Sequence, residues 1–397
     1  MDLTLIVVLV IVLALFFDFT NGFHDTANAM ATPIATGALK PRMAVGLAAV
    51  LNLVGAFLST EVARTISGGL IREGDGGIQI TPEMIFAGLI GAVCWNMVTW
   101  LFGLPSSSSH ALFGGLIGAA IVGAGIGSVD FTVLVSKVVL PALVAPIVAG
   151  LVAFVATRLA YAITRDPATG RGLGRGNFRY AQIFSSSLVA LAHGTNDAQK
   201  TMGVITLTLI ATGAQAVGTG PEFWVIAACA LAIALGTYTG GWRIIKTMGT
   251  GLTDIKPAQG FAAETSTAAT ILASSHLGFA LSTTQVASGS VIGSGLGRKG
   301  ASVRWRTAGR IGVGWLLTLP AAAAVGAAAA LLATIGPVGI VIDAVLGLAV
   351  IVAIFVISSR DKVTSGTVVS EVDAAVGAVR TPKATRKNRK KKRQAAE

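Results

Sequence analysis

Two aspartates sit where a carboxylate is costly. Asp25 and Asp197 each lie midway along an apolar stretch, with amides close by: Asn21 and Asn28 near the first, Asn196 and Gln199 near the second. An ionisable side chain inside hydrocarbon costs several kcal/mol and is by default functional. Carboxylates with amide and backbone oxygens suit a hard cation or a transferable proton. Each aspartate ends a G-x-x-D pattern before an apolar run, which reads as the start of a short helix. Thr26 adds a hydroxyl beside Asp25. Lys200 follows Asp197 by three residues, a spacing at which it pairs with that carboxylate or lends its charge to an anion.

Hydroxyl clusters form the second constellation: Ser106, Ser107, Ser108 and Ser109, then Ser282, Thr283 and Thr284. Hydroxyls at a helix start serve as caps. A re-entrant tip ending at mid-membrane also offers free N–H groups, the positive end of the helix dipole and O–H donors. Those are the requirements of an oxyanion site. His24, His110, His193 and His276 fall in the same regions, where an imidazole can handle protons. Glu264 is a weaker candidate, and Trp95, Asn96 and Trp100 brace the first hydroxyl hairpin.

These residues need a membrane fold to hold them. Of 397 residues 53% are hydrophobic, 6% aromatic and only 12% charged, half the share a soluble chain of this size carries. A mean hydropathy of +0.75 excludes disorder and water-soluble domains alike. Cys94 and Cys229 lie in apolar runs and imply no disulfide framework. Apolar stretches long enough to span cover about 3–20, 43–60, 84–104, 137–160, 180–195, 223–242, 262–280, 309–334 and 337–358. Shorter ones near 26–38, 109–125, 199–213 and 283–296 predict half-helices or re-entrant arms.

Charge sets the orientation. The net charge is +12, but residues 380–397 hold nine basic side chains against one acid. That run reads as a cytoplasmic tail facing anionic lipid, not a nucleic-acid site, since it has no aromatic residue. Placing every strongly basic loop on one face puts the C-terminus in the cytoplasm and the N-terminus outside. The expected organisation is a first membrane repeat (1–163), a basic cytoplasmic linker (164–179) and a second, inverted repeat (180–334). A C-terminal transmembrane helix (335–359) and a basic disordered cytoplasmic tail (360–397) follow.

The repeat is visible in the motifs. G-F-H-D-T-A-N-A-M at 22–30 matches G-T-N-D-A-Q-K-T-M at 194–202, Asp197 following Asp25 by 172 positions. G-L-P-S-S-S-S-H at 103–110 matches G-F-A-L-S-T-T-Q at 278–285, displaced by 175. An odd number of crossings per half inverts the second copy, as in many secondary transporters. The predicted class is an all-α polytopic membrane protein: two inverted-topology repeats with broken helices and re-entrant hairpins, plus one extra C-terminal helix.

The stretches N-G-F-H-D-T-A-N-A at 21–29 and H-G-T-N-D-A-Q-K-T-M-G at 193–203 resemble the paired signatures of the inorganic phosphate transporter family. His before Asp in the first is similar to the low-affinity bacterial branch. The resemblance implies symport of phosphate, or of a neutral metal–phosphate complex, driven by protons in bacteria and by sodium in other branches. It implies phosphate and cation binding at Asp25, Asn28, Asn196, Asp197 and Gln199, and at the hydroxyls of Ser107, Ser108, Ser109, Ser282, Thr283 and Thr284. Two departures stand out. Gln285 takes a position where family members often have His, and His24 replaces the Asn of sodium-coupled members.

The expected mechanism gathers four helix N-termini, two per half, around a tetrahedral oxyanion at the midplane. Thr26 and Lys200 join the phosphate ligands. Asp25, Asp197, Asn21, Asn196, His24 and His193 hold the coupling proton or cation. No catalytic group, resident metal or cofactor is expected, and the partners are phosphate, the coupling cation, the lipid bilayer and a second copy of the chain. The alternatives are a sulfate or other oxyanion permease and an anion channel. A hydrolase built on Ser109 and His110 is disfavoured, because adjacent helical residues point about 100° apart.

Overall fold

The computed structural model describes residues 3–69, 80–164, 178–368 and 370. Most of the 164–179 linker and residues 369 and 371–397 of the basic tail lie outside the described residues. The described chain is built of helices, with one isolated β-bridge between Thr253 and Val303. In chain order the helices are α1 (Leu3–Ala35), α2 (Pro41–Gly55), α3 (Glu61–Gly69), α4 (Pro82–Leu101), α5 (Ser108–Ala124) and α6 (Phe131–Val133). A π-helical stretch, Leu134–Val139, joins α6 to α7 (Leu140–Ile163). Next come α8 (Phe178–Ala211), α9 (Phe223–Thr239), α10 (Trp242–Thr250), α11 (Pro257–His276), α12 (Thr283–Gly297), α13 (Trp305–Ala333) and α14 (Pro337–Arg360). In hydrocarbon every backbone N–H and C=O must be satisfied internally, so apolar runs resolve into helices.

Among the described residues five helical stretches are long and apolar enough to span: α1, α4, Phe131–Ile163, α13 and α14. A sixth exists if α9 and α10, bent by 67° at their break, form one span. Leu143, Ile147 and Leu151 on α7, Leu316 on α13, and Val341 and Leu348 on α14 are exposed apolar side chains. They give these helices an apolar outer face suited to lipid.

Two sequence expectations change here. The stretch 3–20 and most of 26–38 fall in one continuous helix, α1, and all but the last two residues of 180–213 in another, α8. Asp25 and Asp197 therefore sit inside long helices, not at the starts of short ones. The expected four helix N-termini reduce to two, those of α5 and α12. The G-x-x-D pattern misled because its glycines serve packing. A Cβ at Gly22 would run into the Ile233 carbonyl oxygen of α9, and one at Gly194 into that of Asn52 on α2. The break falls instead between α9 and α10, at Gly240 with φ +74°.

The two hairpins are built alike. The first arm of each, α4 and α11, opens on a proline at its first position and ends at a glycine with positive φ, Gly103 (+61°) and Gly278 (+68°). At both ends a bond runs back five residues, Leu104 N–H to Thr99 O and Phe279 N–H to Ser274 O, each 2.9 Å. That is a Schellman stop, which needs the left-handed glycine. A short extended tip follows. Ser107 then caps α5 by accepting the His110 N–H (3.2 Å), and Ser282 caps α12 by accepting the Gln285 N–H (3.3 Å).

Small residues let the returning arms approach their neighbours. Gly114 and Gly118 of α5 lie against the carbonyls of Leu319 and Ala323 on α13. Gly289 and Gly293 of α12 lie against those of Pro146 and Gly150 on α7. Each hairpin thus leans on a helix from the other half of the chain.

Candidate functional site

The two hairpin tips and the middles of α1 and α8 meet in one buried polar cluster. Asp25 is 1% exposed, and Asp197 and Lys200 are 0% exposed, so the cluster is sealed from water. Four side chains hold Asp25. His24 Nδ1 (2.9 Å) and the Thr284 hydroxyl (2.9 Å) reach Oδ1, the Ser108 hydroxyl (3.1 Å) donates to Oδ2, and the Thr283 hydroxyl oxygen lies 3.4 Å from Oδ2, its one proton serving one carboxylate at a time. Asp197 Oδ1 pairs with Lys200 Nζ at 2.5 Å. Its Oδ2 accepts from Thr283 (3.1 Å) and Asn21 (3.5 Å), and His193 Nε2 stands 3.1 Å away. Thr283, the first residue of α12, therefore touches both carboxylates.

A surrounding layer orients these groups. Asn28 donates to the hydroxyls of Thr283 (3.4 Å) and Thr284 (3.1 Å). His24 Nε2 lies 3.3 Å from the Thr99 hydroxyl and 3.4 Å from that of Ser106. His193 Nδ1 lies 3.2 Å from Asn52 Oδ1. Lys200 also donates to the Leu281 carbonyl (3.2 Å), as does Ser109 (3.2 Å), tying the two hairpins together.

Several sequence candidates stand apart from the carboxylates. The Thr26 hydroxyl donates to its own helix at Gly22 O (2.6 Å). Gln199 Oε1 accepts the N–H groups of Val62 (2.8 Å) and Ala63 (3.2 Å) and so anchors α3. Asn196 braces the second hairpin through Ser275 (2.9 Å) and the Phe279 carbonyl (3.4 Å). Ser107 and Ser282 act as caps. His110 meets Gln285 at 3.5 Å, and His276 is exposed at the end of α11. Glu264 forms a separate buried cluster, accepting from Thr32 (2.5 Å), Ser185 (2.5 Å) and Gln182 (3.0 Å).

Sequence reasoning passed over Asn52, Thr99 and Asp18. Each is a polar residue inside an apolar run, the same signal that singled out Asp25.

Chemically the cluster combines two needs. Hydroxyls, the Lys200 ammonium and two helix N-termini are anion donors. Asn21 Oδ1, Asn28 Oδ1 and Asn196 Oδ1 are buried acceptors with no hydrogen-bond partner, the oxygen type that a hard cation takes as a ligand. Asp25, His193 and Asp197 each offer one ligand atom, all within 4.8 Å of one another.

The sequence matches the phosphate transporter family over residues 21–174 and 167–326. It is 60% identical over 329 residues to the "Probable low-affinity inorganic phosphate transporter" of Mycobacterium bovis (strain ATCC BAA-935 / AF2122/97), covering 82% of this chain and 78% of that one. It is 41% identical over 332 residues to the protein of the same name from Bacillus subtilis (strain 168), covering 83% and 98%. The fold is similar to a solved structure titled "The sodium-dependent phosphate transporter", with a TM-score of 0.72 and 25% identity over 83% of this chain and 99% of that one.

Proposed function

Since this chain belongs to the phosphate transporter family, we propose that it carries inorganic phosphate across the cell membrane by cation symport, binding both in the Asp25–Asp197 cluster. The observation that carries the reading is Thr283, whose hydroxyl reaches Asp25 at 3.4 Å and Asp197 at 3.1 Å from the N-terminus of α12. Anion donors and cation ligands occupy one sealed volume.

Coupling follows from charge. With both imidazoles neutral, two carboxylates face one ammonium, so an incoming anion meets net negative charge. A like-charge pair about 4 Å apart costs about 4 kcal/mol at an effective dielectric of about 20. Phosphate binds well only when a cation enters with it, and the loaded carrier can then change its exposed face. We read the cation as a proton, because His24 and His193 lean on the carboxylates at 2.9 and 3.1 Å. The Asp25–His193–Asp197 grouping favours a second reading, in which a divalent metal travels bound to the phosphate. We read the halves as inverted, with the N-terminus outside and the basic tail in the cytoplasm, the orientation that puts the basic loops on one face.

Labelled phosphate uptake into proteoliposomes tests this. An imposed pH gradient is expected to drive accumulation, a sodium gradient is not, and excess sulfate leaves uptake intact. Asp25→Asn is expected to abolish accumulation in a protein that still inserts. Normal accumulation by that variant removes the carboxylate from the mechanism.

A further inference from the structure

The polar faces of α1 and α8 meet in rungs. Asp25 faces His193 at 3.8 Å, and Asn21 donates to Asp197 at 3.5 Å. One step further toward the start of α1 the same register brings Asp18 beside Thr201. Asp18 lies seven residues before Asp25, on the same helix face and about 10 Å away along the axis.

This third rung is bare. Asp18 is 0% and Thr201 1% exposed; Thr201 is the one side chain close enough to interact with the carboxylate as a donor, and no hydrogen bond of normal length and angle reaches either Asp18 oxygen. A sealed carboxylate with both oxygens unpaired is expensive. Its charged and titratable neighbours are Asp197, His193 and Lys200 on α8 and the Cys229 thiol on α9. The two cationic candidates are engaged elsewhere: Lys200 with Asp197, His193 with Asp197 and Asn52. Beyond Asp18 the interface turns apolar, with Ala14, Val10 and Ile205 fully buried. Toward the start of α1, Asp18 is the last buried polar residue on that helix, those before it being Phe17, Ala14, Val10 and Ile6.

We propose that Asp18 and Thr201 form a second station for the coupling cation, a proton or a sodium ion, one rung beyond the anion site and feeding the Asn21–Asp197 rung. The proposal rests on the symport reading. Asp18 holds the cation while phosphate binds at Asp25 and Asp197, so its loss uncouples transport without removing the anion site.

The test compares two assays in proteoliposomes. Gradient-driven accumulation needs net cation movement, whereas phosphate–phosphate exchange without a gradient does not. Asp18→Asn is expected to keep exchange within about twofold of the parent protein while accumulation falls about tenfold or more, the size of effect that a lost coupling site produces. Thr201→Val is expected to shift accumulation in the same direction by less. The gradient whose drive is lost, pH or sodium, identifies the cation. Unchanged accumulation by Asp18→Asn overturns the proposal, and so does parallel loss of exchange and accumulation in an inserted variant. Should Asp18→Asn not insert, Thr201→Val decides, and unchanged coupling there overturns it. If the parent protein accumulates no phosphate under either gradient, the symport reading itself has failed.

Discussion

Lys200 and Asp197 allow a quantitative test of how the cluster is held. Both are fully buried, and Nζ lies 2.5 Å from Oδ1. Removing one partner of such a pair strands a charge in a low-dielectric interior and costs about 3–5 kcal/mol. The two single variants should differ. In Lys200→Met the Asp197 carboxylate keeps Thr283 at 3.1 Å, His193 at 3.1 Å and Asn21 at 3.5 Å, which places it at the low end of that range. In Asp197→Asn the ammonium keeps the Leu281 carbonyl at 3.2 Å, which places it at the high end. The double variant strands neither charge, so its cost falls below the sum of the singles by about 2 kcal/mol or more, well outside the ~0.5 kcal/mol within which independent sites add. Unfolding in mixed micelles, followed by the helical signal, measures all four corners of the cycle. Additivity within ~0.5 kcal/mol refutes the pairing, and a costlier Lys200→Met than Asp197→Asn refutes the partner count.

Thr283→Val removes the hydroxyl that lies within reach of both carboxylates, and a lost buried hydrogen bond of about 1–3 kcal/mol raises the phosphate KM roughly 5- to 160-fold. Thr284→Val, which frees only Asp25, is expected to raise it less; uptake kinetics rank the two. Gly293→Val drives a side chain into the Gly150 carbonyl and is expected to abolish folding, whereas Gly46→Ala, with open space around it, leaves the yield of folded protein in detergent unchanged.

The sequence was most legible where polar residues interrupt apolar runs. Asp25, Asp197 and the two hydroxyl tips announce themselves that way, and their 172- and 175-residue spacings foretell the matched hairpins. The continuity of α1 and α8 was hidden, because Gly22 and Gly194 look like helix breaks in one dimension. Their purpose appears only against the Ile233 and Asn52 carbonyls they contact. Gln199 was hidden for a related reason: it sits beside Asp197 in sequence but turns away to hold α3. Neighbourhood along a helix does not fix which face a side chain occupies.

The sharing of donors explains why the site needs both halves. Asp25 belongs to the first half but takes Thr283 and Thr284 from the second, alongside His24 and Ser108 of its own. Asp197 belongs to the second half but accepts from Asn21 of the first. A half alone would leave each carboxylate short of donors inside a region where unpaired charge is costly. The hairpins that bring those donors are themselves seated on helices of the opposite half, α13 and α7, through glycine contacts that admit no side chain. Whatever shifts one half against the other must therefore alter the donors around both carboxylates together.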